Sequence, residues 1–589
     1  MSCYNMFMAM NKEIRYAFEY HEATKHSEAS LATSRHYLDY GNKPMPFKIY
    51  LELPSITLPI NFPTPEANAL SCISGTIAQT PHEYAKGFTA TLSKNNNTAT
   101  CRSKLDVENL AEILFFSAGI TREMKYPYGN YYMRAASATG ALYPIELYVV
   151  CDDVSPNLVA GVYHFSPADF SLIQIRKGSY KNYLADAANN IDIARAPINI
   201  IFTSFAWRNA WKYQARSYRH WFWDSGVIAA NLLATTRAMG LPARIIMGFL
   251  DDNVNHLLSL EEQKEAAVSM AAIGSGLSDD TMTSSDGQEQ IHEISHALIP
   301  KFRPLSKRGE INYSEIWQLN QASKLASKQE IEEWISNAHN HHRLSLPETL
   351  RYSQEKGTNN DNLIITLNDL EENITNSLTL RETILRRGSS RRFARNNISL
   401  STLKTILYTS TRAVPMDIFE DGNSLIDIYF IANGVDGLAP GGYFYNRDAS
   451  AAGSPNTSIE KIKEIASSRN ISGYLCLGQP LFSDASVVFF LLTDLQSVLK
   501  SLGNRGYRAS QFEAGIIAGN IYLAAYALRI GSSGSTFFDD AVTEFFSPHA
   551  SNKSTMIAIG VGVPAYKAAP GKILSPRLSK EQLLTRDFR

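Results

Sequence analysis

The sequence predicts an α+β fold built twice over, a tandem duplication within one chain. Three observations carry this. Arg216–Ala234 (RSYRHWFWDSGVIAANLLA) aligns without a gap on Arg505–Leu523 (RGYRASQFEAGIIAGNIYL), 289 residues later. Seven of the nineteen positions are identical, and Asp224/Glu513, Val227/Ile516 and Leu232/Ile521 are conservative pairs. Shorter segments repeat in the same order around it: Gly161–Phe165 with Gly441–Tyr445, Phe249–Asp252 with Phe537–Asp540, Ala272–Gly274 with Ala558–Gly560. Chance likeness between two amphipathic helices would not extend over several elements in order. Finally, 589 residues exceed what one core holds, so two or three domains are required.

Residues 1–90 read as a Pro-containing extension with little periodicity, 91–299 as the first domain, 300–379 as a polar, mostly helical connector and 380–589 as the second domain. Leu110–Ala118 and Leu403–Thr409 have helical spacing. Ile145–Cys151 and Leu425–Ala432 are rich in β-branched and aromatic residues and read as strands. Ile198–Thr203 and Ala485–Leu492 are short apolar runs that suit central strands. Arg219–Met239 and Arg508–Leu528 are long helices of Ala, Leu, Ile and Gly, apolar enough to be buried. Met270–Gly274 and Thr555–Gly560 close each half as strands.

Composition sets the class. The chain is 44% hydrophobic and 19% charged, as soluble globular proteins are. With 56 basic and 57 acidic residues it has no electrostatic footprint for nucleic acid or an anionic membrane. The five cysteines are scattered, with no CxxC pair and no metal spacing, so neither disulfides nor a metal site is expected and a reducing cytoplasm fits. No run of 18 apolar residues suggests a membrane span, and the first residues turn charged within twelve positions without a secretory cleavage pattern.

Three segments can carry chemistry. Arg387-Gly-Ser-Ser-Arg391 offers two guanidiniums and a hydroxyl at alternating positions, which suits a phosphate; a solvated basic face reads the same way. Arg134-Ala-Ala-Ser-Ala-Thr-Gly-Ala-Leu-Tyr-Pro144 is a small-residue loop entering a strand. Its backbone can approach a planar ligand, or it is a plain turn. Lys212-Tyr213 sets an amine beside a phenol ahead of the first long helix, a pair able to move protons, or simply a surface lysine next to a packing tyrosine.

Taken together, these residues resemble the nitroreductase superfamily, and within it the azoline-oxidising dehydrogenases of thiazole- and oxazole-forming pathways, the streptolysin-S type. The resemblance runs from Tyr20–Lys25 (YHEATK) through nearly the whole chain. It is strongest at Gly119–Arg122, Ser137–Pro144, Lys212–Arg219, Arg387–Phe393 and Gly503–Arg508. Members are dimers with FMN at the interface, so the resemblance implies an intramolecular pseudo-dimer. It implies that Arg387, Ser389 and Arg391 hold the FMN phosphate, and that Arg134, Ser137, Thr139 and Gly140 lie against the flavin. Ser535, Thr536 and Phe537 would pass its ring near N5, and Arg577 would add a phosphate contact. Ala136 stands where the family's loop usually opens with proline.

The halves have lost complementary parts. The stretch matching Arg387–Arg391 in the first half, near Lys94–Thr98, lacks the serine and second arginine. The loop matching Ser137–Gly140 in the second half, around Arg412–Asp417, lacks the Ser–Gly pattern, and Ser501-Leu502 replaces Lys212-Tyr213. One complete site, hence one FMN per chain, is expected. The related enzymes aromatise a thiazoline or oxazoline, with hydride passing to the flavin and a proton to a base. The resemblance gives the proton-transfer role to Lys212 and Tyr213, on a substrate borne by a peptide or carrier protein, with a biosynthetic enzyme as a further partner. Oxygen would reoxidise the flavin, since no GxGxxG element supports a resident nicotinamide domain. An NAD(P)H-dependent nitro- or quinone reductase and a non-catalytic scaffold stay open as alternatives, as does further dimerisation.

Overall fold

The computed structural model describes residues 10–75, 105–126, 129–274, 299–345, 363–364, 370–412, 414–419, 423–447, 457–573 and 577–588. Lys94–Thr98 lies outside them.

Two seven-stranded sheets are built alike. In the first the spatial order is Ser55–Thr57, Ser171–Lys177, Gly161–Ser166, Ile145–Cys151, Ile198–Phe205, Glu265–Ile273, Ala243–Ile246. In the second it is Leu363–Ile364, Ser458–Glu464, Gly441–Asn446, Asp427–Ala432, Val487–Thr493, Ser554–Gly562, Gly531–Ser535. Every neighbouring pair is antiparallel. The stretches read as extension and connector each supply an edge strand, Ser55–Thr57 to the first sheet and Leu363–Ile364 to the second.

The helices Ser217–Ala238 and Leu495–Ala527 form the centre, buried almost all round as their composition requires. They cross backbone to backbone. A Cβ on Gly226 would stand 2.5 Å from the Phe512 carbonyl oxygen, and one on Gly515 would stand 2.7 Å from that of Trp223. The two glycines occupy matching repeat positions because each must vacate space for the other helix. The chain kinks at equivalent residues, Gln214 (φ 50°, ψ −142°) just before the first helix and Gly503 (φ 64°, ψ −163°), which divides the second span into a short helix and the long one. A non-glycine residue in that region is strained, a state proteins retain mostly at functional sites. Here it directly follows Lys212-Tyr213.

Charge ties the halves together symmetrically. Asp539 of the second half pairs with Arg216 (3.0 Å) and Arg219 (2.7 Å) of the first. Asp251 of the first pairs with Arg505 and Arg508 of the second, each at 2.6 Å. All six side chains are buried. Both arginine pairs lie within the internal repeat.

Candidate active site

A cavity of about 1510 Å³ opens where the two halves meet. The second half contributes the turn Arg387–Arg392, which leaves the helix Leu380–Arg386, and the strand end Ser533–Thr536. The first half contributes the loop Ser137–Ala141 and the last residues of the helix Ala206–Tyr213. Arg122, Arg386, Arg529 and Lys567 add to the cationic wall, against a single carboxylate, Asp224, among the lining residues.

The turn and the loop brace each other. Arg387 is buried and donates from Nε to the Ala135 carbonyl (2.8 Å) and from Nη2 to that of Arg134 (2.7 Å). Ser389 shares a hydrogen bond with the Tyr522 hydroxyl (3.3 Å), which accepts the Gly534 amide (2.6 Å). Arg391 stays exposed on the cavity. The loop is pinned from below: Thr139 donates its amide (2.9 Å) and hydroxyl (2.7 Å) to Asp224 Oδ1. Gly140 takes φ +63°, and a Cβ there would lie 2.8 Å from the Tyr213 hydroxyl, so only glycine lets the phenol lie flush with the loop.

Lys212 and Tyr213 both reach this cavity. Burial, then the nearby Arg391 guanidinium, lowers the Lys212 ammonium from its ordinary pKa. Burial, then the Asp224 carboxylate, pushes the Tyr213 phenol well up, which keeps it protonated.

A nitroreductase family model matches residues 102–275 and 384–562, one copy in each half and together more than half the chain. The chain belongs to the nitroreductase family. It therefore carries two nitroreductase-like domains in tandem, in a family of flavin-dependent oxidoreductases. A nitroreductase-like protein of Methanocaldococcus jannaschii is 29% identical over 163 residues, covering 28% of this chain and 78% of its own. The trifolitoxin-processing protein TfxB of Rhizobium leguminosarum bv. trifolii is 28% identical over 187 residues, 31% of this chain and 50% of its own. A crystal structure of a nitroreductase-like protein from Anabaena variabilis shares the fold across 93% of this chain and 99% of its own, with a TM-score of 0.64 and 23% identity. Among the described residues no helix is long and apolar enough to cross a membrane, and no group of three or more His, Cys, Asp or Glu residues could hold a metal.

Of the residues expected at the nitroreductase site, Lys212, Tyr213, Arg387, Ser389, Arg391, Ser137, Thr139, Gly140, Ser535 and Thr536 line the cavity. Three do not. The Arg134 guanidinium turns into the core and donates to the Pro46 carbonyl (2.6 Å), so this residue offers Arg387 its carbonyl instead. Phe537 is fully buried beneath the Arg216 guanidinium, 5.4 Å from its ring centroid, just as Phe249 lies beneath Arg505 (4.5 Å) in the other half. Arg577 donates to the Asp169 carbonyl (2.8 Å) on the first domain, tying down the C-terminal segment.

At the pseudosymmetric position the described counterparts are engaged within the protein. Met247 and Gly248, the counterparts of Ser535 and Thr536, donate their amides to the Asp417 carboxylate (2.8–3.0 Å). The helix Lys328–Ser345 packs over two more of them. Trp334 donates to the Leu502 carbonyl (2.9 Å), and His341 hydrogen-bonds Ser501 (3.0 Å), so this helix occupies both counterparts of the Lys-Tyr pair.

Asp224 is the site residue that motif reading missed. Burial raises its carboxyl to about 7 against the hydrogen bonds from Thr139 and Asn209. Folding then favours the protonated form, so Asp224 contributes stability below its ordinary value of 3.8 that is lost as pH rises to about 7. Asp224→Asn should flatten that segment, removing a slope of up to about 1.4 kcal/mol per pH unit between roughly pH 4 and 7. The amide still accepts from Thr139, and Asn209, whose Oδ1 has no partner among the described residues, can turn to accept from it. Urea melts across pH 4–8 on both proteins measure this; parallel profiles would refute it.

Proposed function

We propose that this protein is an FMN-dependent oxidoreductase that dehydrogenates a thiazoline or oxazoline ring to the aromatic azole during maturation of a peptide natural product. The observation that carries this reading is the composite cavity. One half supplies Arg387, Ser389 and Arg391, and the other supplies the small-residue loop and the Lys-Tyr pair. The relative named for trifolitoxin processing supports a peptide-borne substrate.

The donor set fits FMN. Arg391 and Ser389 suit its phosphate, and the buried Arg122 Nε has no hydrogen-bond partner among the described residues. Ser137–Gly140 give a flat wall of backbone and small side chains for a planar ring. Bound there, FMN supplies the two-electron acceptor. Lys212, with its pKa lowered, is the base that takes the proton from the ring carbon. Tyr213 is a neutral donor that hydrogen-bonds the substrate heteroatom. Asp224 holds the loop and Arg387 holds the two halves in register.

Flavin released from purified protein should amount to about one FMN per chain, because the described counterparts at the pseudosymmetric position, Met247, Gly248, Ser501 and Leu502, are already engaged within the protein. Arg391→Ala should weaken FMN binding by roughly 10- to 150-fold, the worth of a hydrogen bond to a charged group. Two FMN per chain would break the single-site reading. No FMN after reconstitution would end the oxidase reading.

A further inference from the structure

The hairpin of Ile120–Tyr126 and Gly129–Arg134 forms a sheet of its own, its strands paired with no other strand among the described residues, and the Lys572 amide donates to its Thr121 carbonyl (2.8 Å). Register sets Arg122 opposite Met133, Met124 opposite Tyr131 and Tyr126 opposite Gly129. These side chains therefore share one face. The opposite face is anchored: Tyr132 is buried between Phe47 (5.6 Å between ring centroids) and Phe588 (6.1 Å). The other face thus carries large apolar groups in water. Met124 is 40% exposed, Tyr126 47% and Tyr131 39%.

Met124, Tyr126 and Met133 line the cavity, whereas Tyr131 lies beyond its lining and meets Tyr126 edge-on at 5.3 Å. Lys43 stands 4.3 Å from the Tyr131 ring centroid, adding a cation at the outer end. An apolar strip therefore runs continuously from inside the cavity to the outer surface. A small free molecule would be served by the cavity alone, and an apolar strip leading out of it suits a chain. The volume agrees. Small-molecule sites occupy roughly 300–1,000 Å³, so about 1510 Å³ leaves room beside a cofactor for residues on either side of a reacting ring.

We infer that this hairpin face receives apolar side chains flanking the reacting ring of a peptide substrate, with Met124 and Tyr126 as specificity-determining residues. The inference rests on the peptide-borne ring proposed above. Methionine adapts to varied apolar partners, and a tyrosine face adds a flat contact of low conformational cost.

The test uses FMN-loaded protein and two thiazole pentapeptides, which are product forms and are not consumed. One carries phenylalanine on both sides of the ring and the other carries glycine. Calorimetric titration should show the phenylalanine peptide binding at least about tenfold more tightly, the discrimination an apolar pocket gives. Met124→Ser/Tyr126→Ser should abolish the preference while leaving FMN content and melting temperature unchanged. If the double variant folds poorly, Tyr131→Ser, outside the cavity lining, should reduce the preference on its own. Equal binding of the two peptides by the wild type, binding of neither, or an undiminished preference in the variants would overturn the inference. A preserved preference in a protein that fails to oxidise the matching thiazoline would instead remove the azoline reading and leave the hairpin assignment standing.

Discussion

Lys212→Ala is expected to lower azoline turnover by about 10²–10⁴-fold while the protein stays yellow, the range a positioned general base contributes. Lys212 lies on the first half's side of the cavity and makes none of the hydrogen bonds that hold Arg387, Ser389 or the loop in place. Its removal should therefore spare flavin and fold. The pH profile gives a second, independent readout. Burial and Arg391 lower the lysine from its ordinary 10.5, so activity should rise with pH along a limb below that value as the amine loses its proton. In Lys212→Ala that limb should vanish. Lys212→Arg should fail to restore it, because a guanidinium keeps its proton at any working pH. Steady-state rates on a thiazoline peptide from pH 6 to 10 decide the matter. Full activity in Lys212→Ala would strip the residue of this role.

Much of this site was legible because its chemistry sits in short contiguous motifs and because the repeat allows each half to be read against the other. Arg387–Arg391 and Ser137–Gly140 line one cavity. Motif membership does not give side-chain direction, however. Arg134 and Phe537 lie close in sequence to cavity residues, yet their side chains point into the core, and Arg577 turns onto the first domain. Asp224 left one signal: an acid at the same position of two nearly apolar helices, Asp224 and Glu513. Each proves to hold a loop, Glu513 accepting the Leu425 amide (2.8 Å) and the Ser424 hydroxyl. The main strands were visible as β-branched runs, and Ile145–Cys151 is found with the predicted ends. The strand Gly531–Ser535 (GSSGS) and the hairpin strand Ile120–Tyr126 (ITREMKY) were not. The first has no apolar residue, and the second interleaves charges because one end of it faces water. The span Leu495–Ala527 is broken at Gly503 (φ 64°, ψ −163°), so the long helix expected over Arg508–Leu528 is the part that follows the kink, and the short helix before it went unread.

Asp539→Asn should destabilise the protein by about 3–5 kcal/mol, the cost of leaving a buried ion pair with one partner. Here two guanidiniums, Arg216 and Arg219, lose their shared counter-charge inside the interface between the halves. Those arginines, together with the folded surroundings, hold the Asp539 carboxyl well below its ordinary value against the opposing effect of burial. Its stabilising contribution is therefore present above about pH 4 and lost as pH falls toward the depressed value, so the deficit of the variant should shrink in acid. Asp251→Asn breaks the matching triad with Arg505 and Arg508, and its cost should be similar. The two variants should part over flavin. Asp539 follows Ser535 and Thr536 on the segment that lines the cavity, whereas Asp251 follows Met247 and Gly248, which Asp417 and the helix Lys328–Ser345 already cover. Added FMN stabilises only the state that binds it. Excess FMN should therefore raise the melting temperature of Asp251→Asn as it does that of the wild type, and raise that of Asp539→Asn distinctly less. Equal FMN responses from the two variants would mean that the pseudosymmetric positions are functionally equivalent, against the single composite site.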